Sequence, residues 1–332
     1  MKIINVILTG GFGSRLWPLS RKEKPKQYID LFEGKSLFQQ TIIRNKDICD
    51  ELIVVGNVDN YHLSRKALED LKIKQFHEVI EATPRNTAAA IAFAAFKAQP
   101  EDILLVSPSD HLIEDADIYR IAIEEAIELA KKGSIVTFGL QPTKPETGYG
   151  YIQIKNGDVL GFREKPNLDT AQEFLKSGDF YWNSGMFCFQ AKTFLNELKI
   201  HESEVYESAL KAFELSKNSI LPLEESLLIP SISVDYAVME KTEKLQAVIG
   251  RFKWSDMGSF ESIYDYLLSK KHPIDKHGNM VIGSDLHTEF LGFKKSILVI
   301  TNDAILVLKK EKAQDVKGVY ENLSLNNKKK LE

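Results

Sequence analysis

GGFGSRLWPLSRKEKPKQ, residues 10–27, follows the apolar run IINVIL at residues 3–8. A short β-branched run that a glycine cluster ends reads as a buried strand, not a helix. Gly10, Gly11 and Gly13 directly after that strand let backbone N–H groups approach a phosphate closely. Arg15 adds a bidentate donor suited to phosphate oxygens. Lys26 adds a point charge, in a Pro-Lys-Gln context that Pro25 holds extended or in a turn. Together these residues form a polyphosphate cradle. It is not the dinucleotide loop G-x-G-x-x-G: Gly11 and Gly13 fit the first two glycines, but Leu16 stands at the third. The string G-x-x-x-x-G-K-[ST] of a P-loop does not occur.

Outward from this loop, similar apolar runs recur as LIVV at 52–55, ILLV at 103–106 and SIVTFG at 134–139. Between them, residues 61–71 place Leu63, Ala67, Leu68 and Leu71 near one helical face. Residues 87–98 are alanine-rich with Ile91, Phe93 and Phe96, and 118–130 repeat the helical spacing. Alternating strand and helix predicts an α/β fold with a parallel sheet covered on both faces. Ligands of such sheets bind beyond the C-terminal strand ends, so the loops after Leu8 and Val106 share one rim. The middle reads differently. Residues 149–162 suggest a strand pair turning at Asn156-Gly157. A strand is expected at 186–189 and helices at 193–198, 203–215 and 233–241. The tail is strand-rich again, with VIGS, SILVI and AILVL. The division expected is residues 1–272 and a small β domain at 273–332, with a solvated, frayed end over 326–330.

A chain of 332 residues suits about two domains. The net charge of -4 argues against a protein built to grip nucleic acid, though not against a local phosphate site. Cys49 and Cys188 have neither disulfide-framework nor metal-type spacing and read as two buried thiols in a reducing compartment. No signal-peptide pattern opens the sequence, and no apolar stretch reaches the roughly 20 residues that span a bilayer. The cytoplasm is the expected location, with no membrane partner.

The segment 10–27 resembles the signature of the sugar-nucleotide pyrophosphorylases, and Trp17 with Pro18-Leu19-Ser20 resembles the mannose-1-phosphate guanylyltransferase branch. Further matches follow in order: RNTAAA at 85–90, PSDH at 108–111, ETGYGYI at 146–152, FREKP at 162–166 and WNSGMF at 182–187. SVDYAVME at 233–240, WSDMGSF at 254–260 and the tail from 301 to 317 complete the series, so the resemblance covers essentially the whole chain. It implies a Rossmann-like, GT-A-like nucleotidyltransferase domain. A small C-terminal β unit follows, for which one coil of left-handed β-helix is a candidate form. Such a unit often serves dimerisation in relatives, which makes a homodimer a candidate assembly. The implied reaction is GTP plus mannose 1-phosphate giving GDP-mannose plus pyrophosphate. By resemblance, Gly10, Gly11, Gly13, Ser14, Arg15 and Lys26 bind the triphosphate. Glu81, Asn86 and Thr87 lie near the guanine and ribose, and Asp110 and Asp256 hold Mg²⁺. Gly148, Glu164, Lys165, Asn183 and Asp235 surround the sugar phosphate. The sequence departs from the family pattern at Ala82 and Ala89, where proline is usual, and at Ser109, where alanine is usual.

The chemistry fits these residue types. A sugar 1-phosphate is already a dianion near neutral pH, since its second pKa is about 6, so no general base is required. The difficulty is bringing two anions together, which calls for positioning and charge neutralisation. Two carboxylates with phosphate oxygens and water suit the hard-oxygen preference of Mg²⁺. Arg15 and Lys26 then stabilise departing pyrophosphate, and Lys165 offsets the incoming phosphate. Glu164 and Asp235 accept sugar hydroxyls. His111 reads as structural and Trp182 and Trp254 as packing groups. Competing readings are the same chemistry on another nucleotide and sugar pair, a catalytically silent sugar-nucleotide-binding relative, and a nicotinamide oxidoreductase.

Overall fold

IINVIL forms the first strand, as its pattern requires. The computed structural model describes residues 1–31, 33–155, 158–163 and 165–325. The strands are β1 (Ile3–Leu8), β2 (Glu51–Asn57), β3 (His77–Glu81), β4 (Ile103–Pro108), β5 (Leu112–Ile113), β6 (Ile135–Leu140) and β7 (Tyr151–Lys155). They continue as β8 (Asp158–Arg163), β9 (Phe180–Gln190), β10 (Leu245–Gly250), β11 (Trp254–Ser255), β12 (Met280–Ile282), β13 (Ser296–Ile300) and β14 (Ile305–Lys309). The helices are α1 (Leu37–Asn45), α2 (Tyr61–Asp70), α3 (Asn86–Lys97), α4 (Ala116–Lys131) and α5 (Leu168–Ser177). After them come α6 (Ala191–His201), α7 (Ser203–Glu214), α8 (Leu223–Leu228), α9 (Phe260–Ser269) and α10 (Val316–Leu325). The chain forms two units from interleaved stretches: Met1–Gly10, Thr41–Ser109 and Ile113–Trp254 make one, and Gly11–Gln40, Asp110–Leu112 and Ser255–Glu332 the other.

The first unit is built on a mostly parallel sheet in the order β10-β6-β9-β4-β1-β2-β3, with the β7–β8 hairpin joined to β9. β1 pairs in parallel with β2 and β4, and Val6 lies opposite both Ile53 and Val106. Burial on both faces explains the unbroken apolar runs. Leu104 and Val106 of β4 join Ile4, Val6, Ile53 and the alanine-rich α3 in one core. The alternate residues Ile103 and Leu105 join Val136, Phe138 and α4 in the other. The alanines of α3 are buried almost all round, so the helix packs closely against its neighbours. The strand expected at 186–189 is the end of an eleven-residue strand, β9, that runs antiparallel to β4 and β6. Asn183, Ser184 and Gly185 interrupt its apolar pattern and hide its length from a periodicity reading.

The strand pair over 149–162 is present as β7 and β8, antiparallel, and its Asn156-Gly157 turn lies outside the described residues. The helices near 61–71, 87–98, 118–130, 193–198 and 203–215 appear as α2, α3, α4, α6 and α7. The helix expected at 233–241 does not form at that length; a single π-type turn spans Asp235–Met239.

In the second unit β12 and β13 pair in parallel and β13 and β14 antiparallel. At the end of β12 Gly283 has φ 84, and a Cβ there would overlap the Ile300 carbonyl oxygen. Only glycine permits that approach. The tail is not all strand: a 3-10 turn at Lys310–Asp315 leads into α10. The core of this unit joins Leu16 and Trp17, beside the glycine loop, with Phe260, Ile263, Met280, Ile297, Val316 and Tyr320.

Candidate active site

In the second unit the glycine loop is shaped by what its carbonyls bind. Gly11 and Gly13 both have φ 78, the left-handed region that favours glycine. Gln27 Nε2 donates to the Gly11 carbonyl at 3.2 Å, Lys26 N to the Phe12 carbonyl at 3.1 Å, and the Ser20 hydroxyl to the Gly13 carbonyl. Among the described residues, no acceptor pairs with the N–H of Gly11 or Gly13 or with the Arg15 guanidinium. The loop therefore offers donors and withholds acceptors, the arrangement an anion needs. A Cβ on Gly13 would come 2.8 Å from Lys26 Cβ, so the loop lies directly on the lysine stem.

Lys26 opens a 3-10 turn, Lys26–Tyr28, just after Pro25. Its side chain is 7% exposed, and its Nζ lies 2.8 Å from Asp110 Oδ2 and 2.5 Å from the Asp256 backbone carbonyl. Three residues expected at the triphosphate and metal are thus brought together. Burial opposes ionisation of Asp110, but Lys26, His111 and hydrogen bonds to the carboxylate outweigh it and hold its pKa below the usual value. His111 Nε2 is 3.6 Å from Asp110 Oδ1. Asp256 Oδ1 accepts from Gly258 N at 2.9 Å, which fixes that carboxylate in a tight turn. The Lys26 ammonium is flanked by the Asp110 carboxylate and the Asp256 backbone carbonyl, and an ionised Asp110 with the anchored Asp256 carboxylate supplies hard oxygen donors of the kind a divalent cation completed by phosphate and water takes. Among the described residues no group of three or more His, Cys, Asp or Glu gathers for a metal.

In the first unit Glu81 ends β3, 6% exposed, with Oε1 unpartnered among the described residues. Burial raises its pKa to about 7, against a backbone hydrogen bond at Arg85 that lowers it. After it Asn86, at φ 69, starts α3. Ala89 is the fourth residue of that helix, where the N–H reaches back to the carbonyl of the N-cap Arg85, so alanine supplies a first-turn hydrogen bond that proline would lack. Thr87 Oγ1 accepts from Val234 N at 2.9 Å and so holds the segment that presents Asp235. Asn183 Nδ2 donates to Asp235 Oδ1 at 2.9 Å, while its own Oδ1 accepts from Gly185 N at 3.0 Å. Thr87, Asn183 and Asp235, separated in sequence, therefore form one connected group. Gly148 N donates to Glu146 Oε1 at 2.9 Å, and Lys144 lies 3.1 Å from Glu146 Oε2. Lys165 is exposed after β8, with φ 27. Gly10, just after β1, is exposed and ends the first stretch of the first unit. Glu164 lies outside the described residues.

Trp182 and Trp254 pack as expected, each about edge-on to Tyr149 with centroids 5.2 and 5.1 Å away. Ser20, Gln27 and Glu146 escaped the sequence reading, although all three stand inside quoted motifs. They act by fixing backbone, and residue type alone does not signal that. Cys49 and Cys188 are free; only Cys188 is buried as expected, whereas Cys49 is half-buried, and desolvation pushes its thiol up to about 12. No helix among the described residues is long and apolar enough to cross a membrane.

The profile of the Nucleotidyl transferase family matches residues 4–271, and that of the MannoseP isomerase/GMP-like beta-helix domain matches residues 272–323. The mannose-1-phosphate guanylyltransferase RfbM of Salmonella typhimurium is 38% identical, over 99% of this chain and 74% of its own length. A solved structure from Thermus thermophilus, described as a mannose-1-phosphate geranyltransferase, superposes with a TM-score of 0.84 at 30% identity, covering 98% of this chain and 100% of its own. One from Helicobacter pylori, described as a mannose-6-phosphate isomerase, is 40% identical with a TM-score of 0.69, over 77% of this chain and 100% of its own. The chain belongs to the nucleotidyl transferase family and, within it, to the mannose-1-phosphate guanylyltransferases.

Proposed function

We propose that the chain transfers GMP from GTP to α-D-mannose 1-phosphate, giving GDP-mannose and pyrophosphate. The observation that carries this reading is the 38% identity to RfbM over 99% of the chain. In the second unit, Gly11, Gly13, Ser14 and Arg15, with Gly10 before them, take the triphosphate through N–H and guanidinium donors. Lys26 neutralises charge developing on the leaving pyrophosphate. Asp110 and Asp256 hold Mg²⁺, which when bound supplies a positive charge to phosphate oxygens. In the first unit, Glu81 accepts from the adjacent N–H donors of guanine, beside Asn86 and Thr87. Asp235, oriented by Asn183, accepts sugar hydroxyls, and Gly148, Glu164 and Lys165 complete the sugar-phosphate contacts. A phosphate oxygen of mannose 1-phosphate attacks the α-phosphorus of GTP in line. The bond from that phosphorus to the β-phosphate oxygen breaks, and pyrophosphate leaves without a covalent intermediate. Residues 1–272 serve as the nucleotidyltransferase domain and 273–332 as a small β domain. The exposed apolar residues Ile305 and Val307 of β14 support a homodimer, and two free thiols support a cytoplasmic protein.

The test is pyrophosphate release from four NTPs against mannose, glucose and N-acetylglucosamine 1-phosphates with Mg²⁺. GTP with mannose 1-phosphate should lead by at least tenfold. Preference for another pair moves the substrate assignment and keeps the chemistry. Silence throughout overturns the enzyme reading in favour of a sugar-nucleotide-binding protein. A parallel assay with mannose 6-phosphate tests the reaction in the Helicobacter pylori protein's name.

A further inference from the structure

Four lysines meet where repulsion should keep them apart. In the second unit, Lys294 and Lys295 precede β13, Lys309 and Lys310 end β14, and both pairs line one cleft of about 750 Å³. His277 lines it too. The backbone enforces the meeting: Lys295 N donates to the His277 carbonyl at 3.1 Å, and Lys310 N to the Lys295 carbonyl at 2.8 Å. These bonds tie three chain segments together and fix the main chain of Lys295, Lys310 and His277 at one cleft.

Neutralisation of the cluster is incomplete. Lys310 Nζ reaches Asp265 Oδ1 at 2.5 Å and lies 4.8 Å from the Tyr264 ring centroid. Lys309 Nζ stands 3.9 Å from Glu311, a loose surface pair. No acidic group pairs with the ammonium of Lys294 or Lys295 among the described residues. The wall holds four lysines against Glu261 and Glu311, in a chain whose net charge is -4. Tyr264 forms a fixed floor, 6% exposed, with its hydroxyl donating to the Gly278 carbonyl at 3.0 Å. None of these residues takes part in the nucleotidyl transfer proposed above.

A concave wall of this size suits a small ligand, since such sites commonly enclose about 300–1,000 Å³. Several ammonium groups around a rigid aromatic floor select for high charge density and not for a single carboxylate. We infer that this cleft binds a small phosphate-chain anion, of the di- or triphosphate class, separately from the triphosphate cradle at the glycine loop.

The test is calorimetric titration of the full chain with inorganic tripolyphosphate in Mg²⁺-free buffer at low salt. Wild type should show two binding events. Arg15→Ala, which weakens the glycine-loop cradle, should leave one of them unchanged. The double variant K294Q/K295Q should weaken that same event at least tenfold, with GTP turnover and thermal melting unchanged. Lys309→Gln should weaken it by a smaller factor and offers a second exposed position if the double variant misfolds. Raising salt from 50 to 200 mM should weaken the event in wild type and much less in the double variant. ATP in place of tripolyphosphate tells whether a nucleoside is read as well: equal affinity assigns recognition to the phosphate chain alone, and tighter binding adds the nucleoside. Wild-type stoichiometry and affinity in K294Q/K295Q would overturn the inference. If Arg15→Ala leaves both events intact, the cradle assignment fails instead, and the lysine variants still decide the cleft.

Discussion

Glu81 keeps a carboxyl group in a place that favours its neutral form. It is 6% exposed, Oε1 has no donor among the described residues, and burial raises its pKa to about 7 from 4.5. The folded chain therefore holds this proton more tightly than the unfolded chain. Stability from this group is fully present below about pH 4.5, declines as pH rises, and levels off above about 7. The displacement corresponds to a penalty on the order of 3 kcal/mol for the ionised form. Glu81→Gln should remove that slope and gain about 1–3 kcal/mol at pH 8, with little change at pH 4, read by urea unfolding at both values. Equal slopes in the two proteins would refute the burial argument. If the ionised carboxylate accepts from guanine, KM for GTP should rise as pH falls below 7 in wild type and stay flat, but high, in Glu81→Gln. Asp110 has the opposite sign. Burial works against its ionisation, Lys26 and His111 prevail, and the depressed pKa gives stability that is present above the usual carboxylate value. That stability is lost as pH falls through the lower folded value. Replacing Asp110 would also strand the buried Lys26, so Asp256→Ala is the cleaner probe of the metal. Lys26 contacts the Asp256 carbonyl and not its carboxylate. Turnover should fall at least a thousandfold in Asp256→Ala with the fold retained, and near-normal rates with Mg²⁺ would rule out the ligand role.

The glycine loop works as an element because its backbone conformation and the Lys26 stem fit each other. Gly13→Ala meets two obstacles: φ 78, and a Cβ 2.8 Å from Lys26 Cβ. The left-handed conformation alone costs roughly 1–2 kcal/mol, and relieving the contact must displace Lys26 from Asp110. The expected outcome is more than a tenfold loss of turnover together with a lower melting temperature. Unaltered turnover would mean that Lys26 need not lie where it does. Elements with a local signal were legible beforehand. β1, β2 and β4 are short runs buried on both faces, α2 and α4 carry a helical stripe, and α3 is marked by its alanines. Elements defined by distant partners were not. β3 opens with the polar pair His77-Glu78, β9 is broken by Asn183-Ser184-Gly185, and α10 hides behind the strand-like Ile305–Lys309. The site divides in the same way. Gly11, Gly13, Lys26 and Asp110 stand in motifs whose chemistry is visible in their types, whereas Ser20, Gln27 and Glu146 act through carbonyl and amide partners that only folding supplies. The hydrogen bond from Val234 to Thr87, which holds the segment presenting Asp235, spans 147 residues and leaves no mark on local pattern.

At the scale of the molecule, linear and spatial divisions differ in kind. The two family profiles meet between residues 271 and 272, while the compact units interleave. The unit that contains β12, β13 and β14 also contains the glycine loop, Asp110 and Asp256. Leu16 and Trp17, 1% and 6% exposed, share a core with Met280, Ile282, Ile297 and Val299. A chain ending at Lys271 would lose those partners, and each large apolar side chain so uncovered costs roughly 1.5–3 kcal/mol. Several together exceed the margin of about 5–15 kcal/mol that holds a typical domain folded. The C-terminal β strands are therefore expected to hold the phosphate cradle in shape, whatever they add to assembly. Truncation after Lys271 should abolish pyrophosphate release. Limited proteolysis of the truncated chain should cut within residues 11–40, a stretch that the full chain should protect. A truncated chain that keeps its turnover and resists cleavage there would show that the glycine loop holds its shape without the strands that follow residue 271.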